Sequence, residues 1–145
     1  MTSDERAGET ESTSLALSKR GARRVIQRAF VLVGRAKPIR QHLRETALTT
    51  HWTVEDWALE WTVSLDHGRV EFSRGHVGKA QVSYVWKTGA RFLNHIESQV
   101  GPKDEFAYVG DLVWHRVVDP VFKAFATTLK EVLADPIDDD GVRLL

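Results

Sequence analysis

The sequence predicts an α+β fold: a mostly antiparallel five-stranded sheet covered on one face by helices, with an amphipathic helix leading into it. Three observations predict it. Apolar residues recur at helical spacing over residues 18–33. They then alternate every second residue over 57–86, and helical spacing returns from Thr88 to Leu133 around one further strand. A run of strands bounded by helices, rather than a strict alternation of the two, points to a sheet with its helices segregated to one side.

The first helix spans 18–33. Ala22, Val25, Ile26, Ala29, Phe30, Leu32 and Val33 share one arc of its surface, and Arg20, Arg23, Arg24, Gln27 and Arg28 share the opposite arc. Gly34 and Pro38 end it, and Pro38 opens a shorter helix over 38–47. A short strand around 52–54 comes next. Trp57, Leu59, Trp61, Val63 and Leu65 then alternate with polar residues as a half-buried strand, and Asp66-His67-Gly68 turns the chain into a second one at Val70 and Phe72. Gly75 and Gly78 bracket the turn into Val82, Tyr84 and Trp86, which makes a meander of about four strands. Thr88 caps a helix carrying Phe92, Leu93 and Ile96, and Gly101-Pro102 opens a short one carrying Phe106. A fifth strand follows over 112–117. Asp119-Pro120 starts the last helix as N-cap and first residue, with Phe122, Phe125, Ala126, Leu129, Val132 and Leu133 on one face.

The 145 residues fit one domain, and a chain of this mass buries roughly 68–70% of its extended surface, enough for a core. Residues 1–14, polar and acidic, read as a disordered leader; 15–134 form the domain; 135–145 read as a loose acidic tail. No apolar run reaches the ~20 residues of a membrane span, and the first fourteen residues carry no secretory h-region. The chain has no Cys, which excludes disulfides, thiolate metal sites and Cys nucleophiles and agrees with a cytoplasmic setting.

The formal net charge of zero is a sum of unlike parts. Four acids face Arg6 in the leader. Residues 18–44 hold nine bases and no acid, and sixteen acids face ten bases from Glu45 onward. The basic block falls largely on the first helix, where the arginines lack acidic partners at i,i+4 and oppose the helix dipole. The face formed by Arg20, Arg23, Arg24 and Arg28 therefore suits an anionic membrane surface, a phosphate-bearing ligand such as a CoA ester, or an acidic partner protein, unless the acidic remainder of the chain neutralises it or it is simply solvated. Nucleic acid is not expected, because no aromatic residues interleave with the arginines.

Motifs for chemistry are few. His42, His51, His67, His76, His95 and His115 form neither HxH nor HExxH, so no metal site is expected, and His95 and His115 read as surface residues. No glycine-rich phosphate loop or nucleophile elbow occurs, no cofactor is expected, and the reading favours a non-catalytic protein. Glu60, between two Trp, falls on the polar side of its strand and is discounted as a buried base. Five Trp at 52, 57, 61, 86 and 114, all expected in strands, serve either as sheet-face core or as an aromatic pocket wall.

Residues 60–68 (EWTVSLDHG) followed by Val70-Glu71-Phe72 resemble the strand–turn–strand of the sterol carrier protein type 2 family. Residues 80–87 (AQVSYVWK) resemble its next strand. Phe92-Leu93 in a helix, Gly101-Pro102-Lys103 and Phe106, then Gly110-Asp111-Leu112, resemble the family's short helix ahead of a Gly-x-Leu strand. The likeness covers about residues 45–134. It implies a five-stranded sheet and helices enclosing an apolar tunnel for a fatty acid, an acyl-CoA, a sterol or a similar lipid. Phe92, Leu93, Ile96, Phe106, Leu112, Trp114, Phe122, Phe125 and Leu129 are the tunnel-lining positions the resemblance implies, with Trp86 beside them. The same positions equally close a solid core. Three functions follow: a lipid carrier, an interaction module working through the basic helix, and a small single-chamber enzyme.

Overall fold

The computed structural model describes residues 17–98 and 107–145. The leader 1–14 and the helix expected to carry Phe106 lie outside the described residues.

Helix α1 (Lys19–Arg35) begins where Ser18 accepts the Gly21 N–H at 2.9 Å, and it buries Ala22, Val25, Ile26, Ala29, Phe30 and Val33, the arc its spacing predicts. Helix α2 (Lys37–His42) follows with Pro38 in its first turn, and Ile39 and Leu43 anchor its end in the core. Strands β1 (Ala47–Val54), β2 (Leu59–Asp66), β3 (Arg69–Arg74), β4 (Val82–Trp86) and β5 (Ala107–Gly110) make one five-stranded sheet, interrupted in sequence by helix α3 (Gly89–Ser98). A 3-10 turn, Leu112–Trp114, leads into helix α4 (His115–Ala134). The α+β class with a mostly antiparallel sheet and an N-terminal amphipathic helix is thus the observed architecture.

The strand order is β3-β2-β1-β4-β5. The first three strands are successive hairpins, and His67 and Gly68 both take positive φ (51° and 91°), which makes the two-residue turn of a tight hairpin. The next step departs from the expected meander. β4 crosses over and pairs with β1 in parallel, placing Trp52 beside both Trp61 and Tyr84. Alternation fixes which face is covered. Leu48, Trp52, Val54, Leu59, Trp61, Val63, Leu65, Val82, Tyr84 and Trp86 are buried, and α1, α3 and α4 pack over them. The opposite face carries Thr, Ser and His, and the 75–78 loop folds back on it. There Thr62 donates to the Gly75 carbonyl at 2.8 Å and accepts the Val77 N–H at 2.8 Å, and the rings of His51 and His76 stack at 4.4 Å.

Three expectations are corrected. The fifth strand lies at Ala107–Gly110, not at 112–117, because Asp111 accepts the N–H groups of Val113 through its side chain and Trp114 through its carbonyl (3.2 and 3.0 Å) and so starts a helical turn. α4 therefore begins at His115, and Pro120 sits inside it, near enough to the N-terminus that its missing N–H costs one bond. Trp57 occupies the β1–β2 turn, where a Cβ on Gly89 would overlap its indole and the Gly89 N–H donates to Asp56 at 2.7 Å. Residues 136–144 turn back on themselves. Ile137 bridges Arg143, the Leu144 N–H donates to the Pro136 carbonyl at 2.8 Å, and Leu144 is buried.

Candidate functional site

Where β4 meets α3 and α4, aromatic side chains gather. Trp86 contacts Tyr84 (ring centroids 5.6 Å apart), Phe92 (5.0 Å, edge to face) and Phe122 (6.1 Å). Phe125 joins this group to Trp52 and to Phe30 of α1, each at 5.0 Å. Their placement follows from local rules. Trp52 on β1 and Tyr84 and Trp86 on β4 come from the covered side of the sheet, Phe92 from the buried face of α3, and Phe122 and Phe125 from one face of α4. Offset and edge-to-face pairs at these separations add to the energy of burial.

His95 is the polar member, and it is 4% exposed. Its Nδ1 accepts the Trp86 Nε1–H at 3.0 Å, and its ring stacks on Phe122 at 4.5 Å. Burial lowers its pKa to about 4, so the imidazole is neutral at pH 7 with its proton on Nε2. Burial first, and then the neighbouring Tyr108 and Asp119, push the Tyr84 hydroxyl well above the ordinary tyrosine range. The cluster therefore joins a large apolar surface to neutral hydrogen-bonding groups, an arrangement suited to an apolar molecule with one polar end.

Of the positions singled out in the sequence, Trp86, Phe92, Ile96, Phe122, Phe125 and Leu129 are buried together in this core. Leu93 and Trp114 are partly buried at its margin. Leu112 stands in the 3-10 turn rather than a strand, Trp114 ends that turn, and Phe106 lies outside the described residues. Sequence reasoning read Trp52 as core or pocket wall but did not single out His95, Tyr84 or Phe30 as members of the site. His95 had a signal, since it lies three residues after Phe92 and beside Ile96 on the apolar side of α3. Its expected surface position is corrected by its burial.

The basic face of α1 is partly answered from within the chain. Asp139 of the folded tail takes Arg35 through both carboxylate oxygens (2.7 and 2.9 Å) and Arg28 at 2.9 Å. Its hydrogen bonds to Arg35 and then Arg28 hold its carboxyl well below the usual range. Arg24 donates to the Arg143 carbonyl at 3.4 Å. Arg28 and Arg24 are thus engaged inside the molecule, while Arg20 and Arg23 make no ion pair among the described residues.

Among the described residues no cluster of three His, Asp or Glu is placed to hold a metal ion, and no helix is long and apolar enough to cross a membrane. Glu60 is exposed, and the buried polar side chains described are Thr50, Thr62 and His95.

No family model matches the chain, and no curated protein matches it in sequence. Among solved structures it is similar to the stereoselective inverting sec-alkylsulfatase Pisa1 from Pseudomonas sp. (17% identity, TM-score 0.45) over 57% of this chain. The match spans 13% of that chain's length. A double mutant of the same sulfatase gives the same coverage with a TM-score of 0.46. It is also similar to UbiJ-SCP2, a ubiquinone synthesis protein, at 14% identity and a TM-score of 0.42, over 70% of this chain and 86% of that one.

Proposed function

We propose that the protein is a small non-catalytic carrier, working in the cytoplasm, that holds an apolar ligand against the aromatic cluster where α3 and α4 cover β4. The observation that carries this reading is the Trp86–His95 pair: a neutral, hydrogen-bonded polar couple set among Phe92, Phe122 and Tyr84. The resemblance of residues 45–134 to the sterol carrier protein type 2 family supports the same reading and supplies the ligand class: a fatty acid, an acyl-CoA, a sterol or a similar lipid.

The chemistry needed is modest. Burial of the ligand's methylenes supplies about 0.8 kcal/mol each, and the polar couple orients its one polar end. Access is gained on the α3 side. α3 has ten residues and packs on α4 and β4, so parting it from α4 opens the wall formed by Phe92, Leu93 and Ile96.

The test is a titration with fatty acids, acyl-CoAs and sterols followed by tryptophan fluorescence, with displacement of a fluorescent lipid as a second readout. Saturable quenching or a blue shift is expected, weakened by Phe92→Ala and Phe122→Ala in proportions that differ from their effects on stability. No spectral change and no displacement for any ligand class would overturn the proposal.

A further inference from the structure

We propose that the groove between α2 and the β2–β3 turn is a binding site for a diphosphate group carried on an organic molecule. The groove has a volume of about 440 Å³ and is walled by Lys37, Arg40, Gln41 and Arg44 on one side and by His67 and Arg69 on the other. Four of these side chains are permanent cations at neutral pH, and no carboxylate lines the groove.

None of Lys37, Arg40, Arg44 and Arg69 makes an ion pair among the described residues. The basic block of the sequence is therefore divided by the fold. The α1 arginines Arg28 and Arg35 share the one carboxylate of Asp139, while the α2 cations have no such partner among the described residues. Asp66, the acid next to the turn, is occupied by His67 at 2.6 Å. The dipole of α2 favours cations in its last turn and so accounts for Arg40. It does not account for Arg69, which arrives from β3, a separate element, to face the same space.

The frame is held by backbone, not by long side chains. The Gly68 N–H donates to the Leu43 carbonyl at 2.9 Å and the His67 N–H to the Thr46 carbonyl at 2.6 Å, which docks the hairpin turn on the end of α2. Gly68 makes the close approach. Its φ is +91°, and a Cβ there would lie 3.1 Å from the Arg40 carbonyl oxygen. The two walls are thus fixed relative to each other before any ligand arrives.

Three guanidinium forks and one ammonium match a group with several phosphate oxygens better than a single carboxylate, because each fork takes two oxygens. The organic part follows from the neighbouring groove, about 500 Å³, which shares Arg40, Gly68 and Arg69 and adds the apolar Val31, Val70 and Phe72 together with the charged Arg35 and Glu71. A diphosphate seated among the cations directs its ester chain onto this strip. The site shares no residue with the aromatic cluster, so it stands or falls separately from the carrier reading.

The experiment measures binding of inorganic pyrophosphate and of octyl diphosphate to the full chain by calorimetry and ³¹P NMR at low and high salt. Pyrophosphate reports the cations alone, and octyl diphosphate adds the strip. The expected results are saturable binding of both that weakens with salt, octyl diphosphate tighter by roughly tenfold, and a loss of at least about tenfold in Arg40→Glu/Arg69→Glu. Lys37→Glu/Arg44→Glu repeats the test on the other cations, all of them exposed, with thermal unfolding as the check on folding. Sedimentation with phosphatidylcholine vesicles containing phosphatidic acid separates the sources. Pyrophosphate-sensitive sedimentation assigns the phosphate to a lipid headgroup, and its absence assigns it to a soluble ester; both agree with the site. Failure to bind pyrophosphate, binding unchanged in both charge reversals, or tighter binding of a single-stranded oligonucleotide than of octyl diphosphate would overturn it.

Discussion

The indole N–H of Trp86 points at Nδ1 of His95 across 3.0 Å, within the apolar core. An acceptor nitrogen cannot carry a proton, so the contact exists only with neutral histidine. In the unfolded chain the imidazole titrates near 6.5; in the fold, burial lowers that value to about 4. The unfolded chain therefore takes up a proton that the native state refuses. The stability from this residue is complete above pH 6.5 and is lost as the pH falls toward 4, by roughly 3 kcal/mol. Thermal unfolding between pH 7 and pH 4 checks this, and His95→Gln, which does not titrate, should flatten that part of the profile.

Phe30 is the joint between α1, the sheet and α4. Its ring meets Trp52 at 5.2 Å, Trp61 at 5.7 Å, Phe72 at 5.4 Å and Phe125 at 5.0 Å. Phe30→Ala opens a cavity between rigid rings that cannot collapse into it, and a loss of about 3–5 kcal/mol is expected. Urea denaturation gives the value; a loss below about 1 kcal/mol would contradict this packing.

Gly89 begins α3 beneath the Trp57 indole. Alanine normally favours a helix over glycine, but here its methyl group displaces the ring and disturbs the Gly89–Asp56 hydrogen bond. Gly89→Ala should therefore destabilise by about 1–3 kcal/mol. Combined with Trp57→Val it should cost less than the two changes summed, as a double-mutant cycle will show.

Asp139 holds the tail to α1. Asp139→Asn removes the charge that Arg28 and Arg35 share, so amide exchange should quicken over residues 138–144. The melting temperature should change little, since the contact is exposed and screened. Exchange unchanged in that segment would show that the Leu144 contact alone keeps the tail in place.

Much of the fold was legible because burial imposes periods. The arc of α1, the alternation of β2 and β4, and the Phe122–Leu129 face of α4 all appear where spacing puts them. What was not legible depended on single polar contacts or on distant partners. The side chain of Asp111 turns an apolar run into a helical start, and Trp57 leaves its strand to lie against Gly89, thirty-odd residues away. The candidate site divides in the same manner. Trp86, Phe92, Phe122 and Phe125 are readable as apolar positions, whereas the burial of His95 depends on an indole donor from another element. The open cations of the α2 groove were visible as a charge block, but which of them Asp139 would claim depends on how the tail folds.

The parallel pairing of β1 with β4 gives the molecule a seam. The β1–β2–β3 hairpins pair neighbours in the chain, whereas the pairing of Thr50 with Val82 spans both hairpins and is the long-range contact of the sheet. Parallel bonds are slanted and slightly weaker than those on either side. Trp52 lies on one lip of that seam and Tyr84 and Trp86 on the other. Separating the two halves along this line would lay bare the aromatic surface of the molecule.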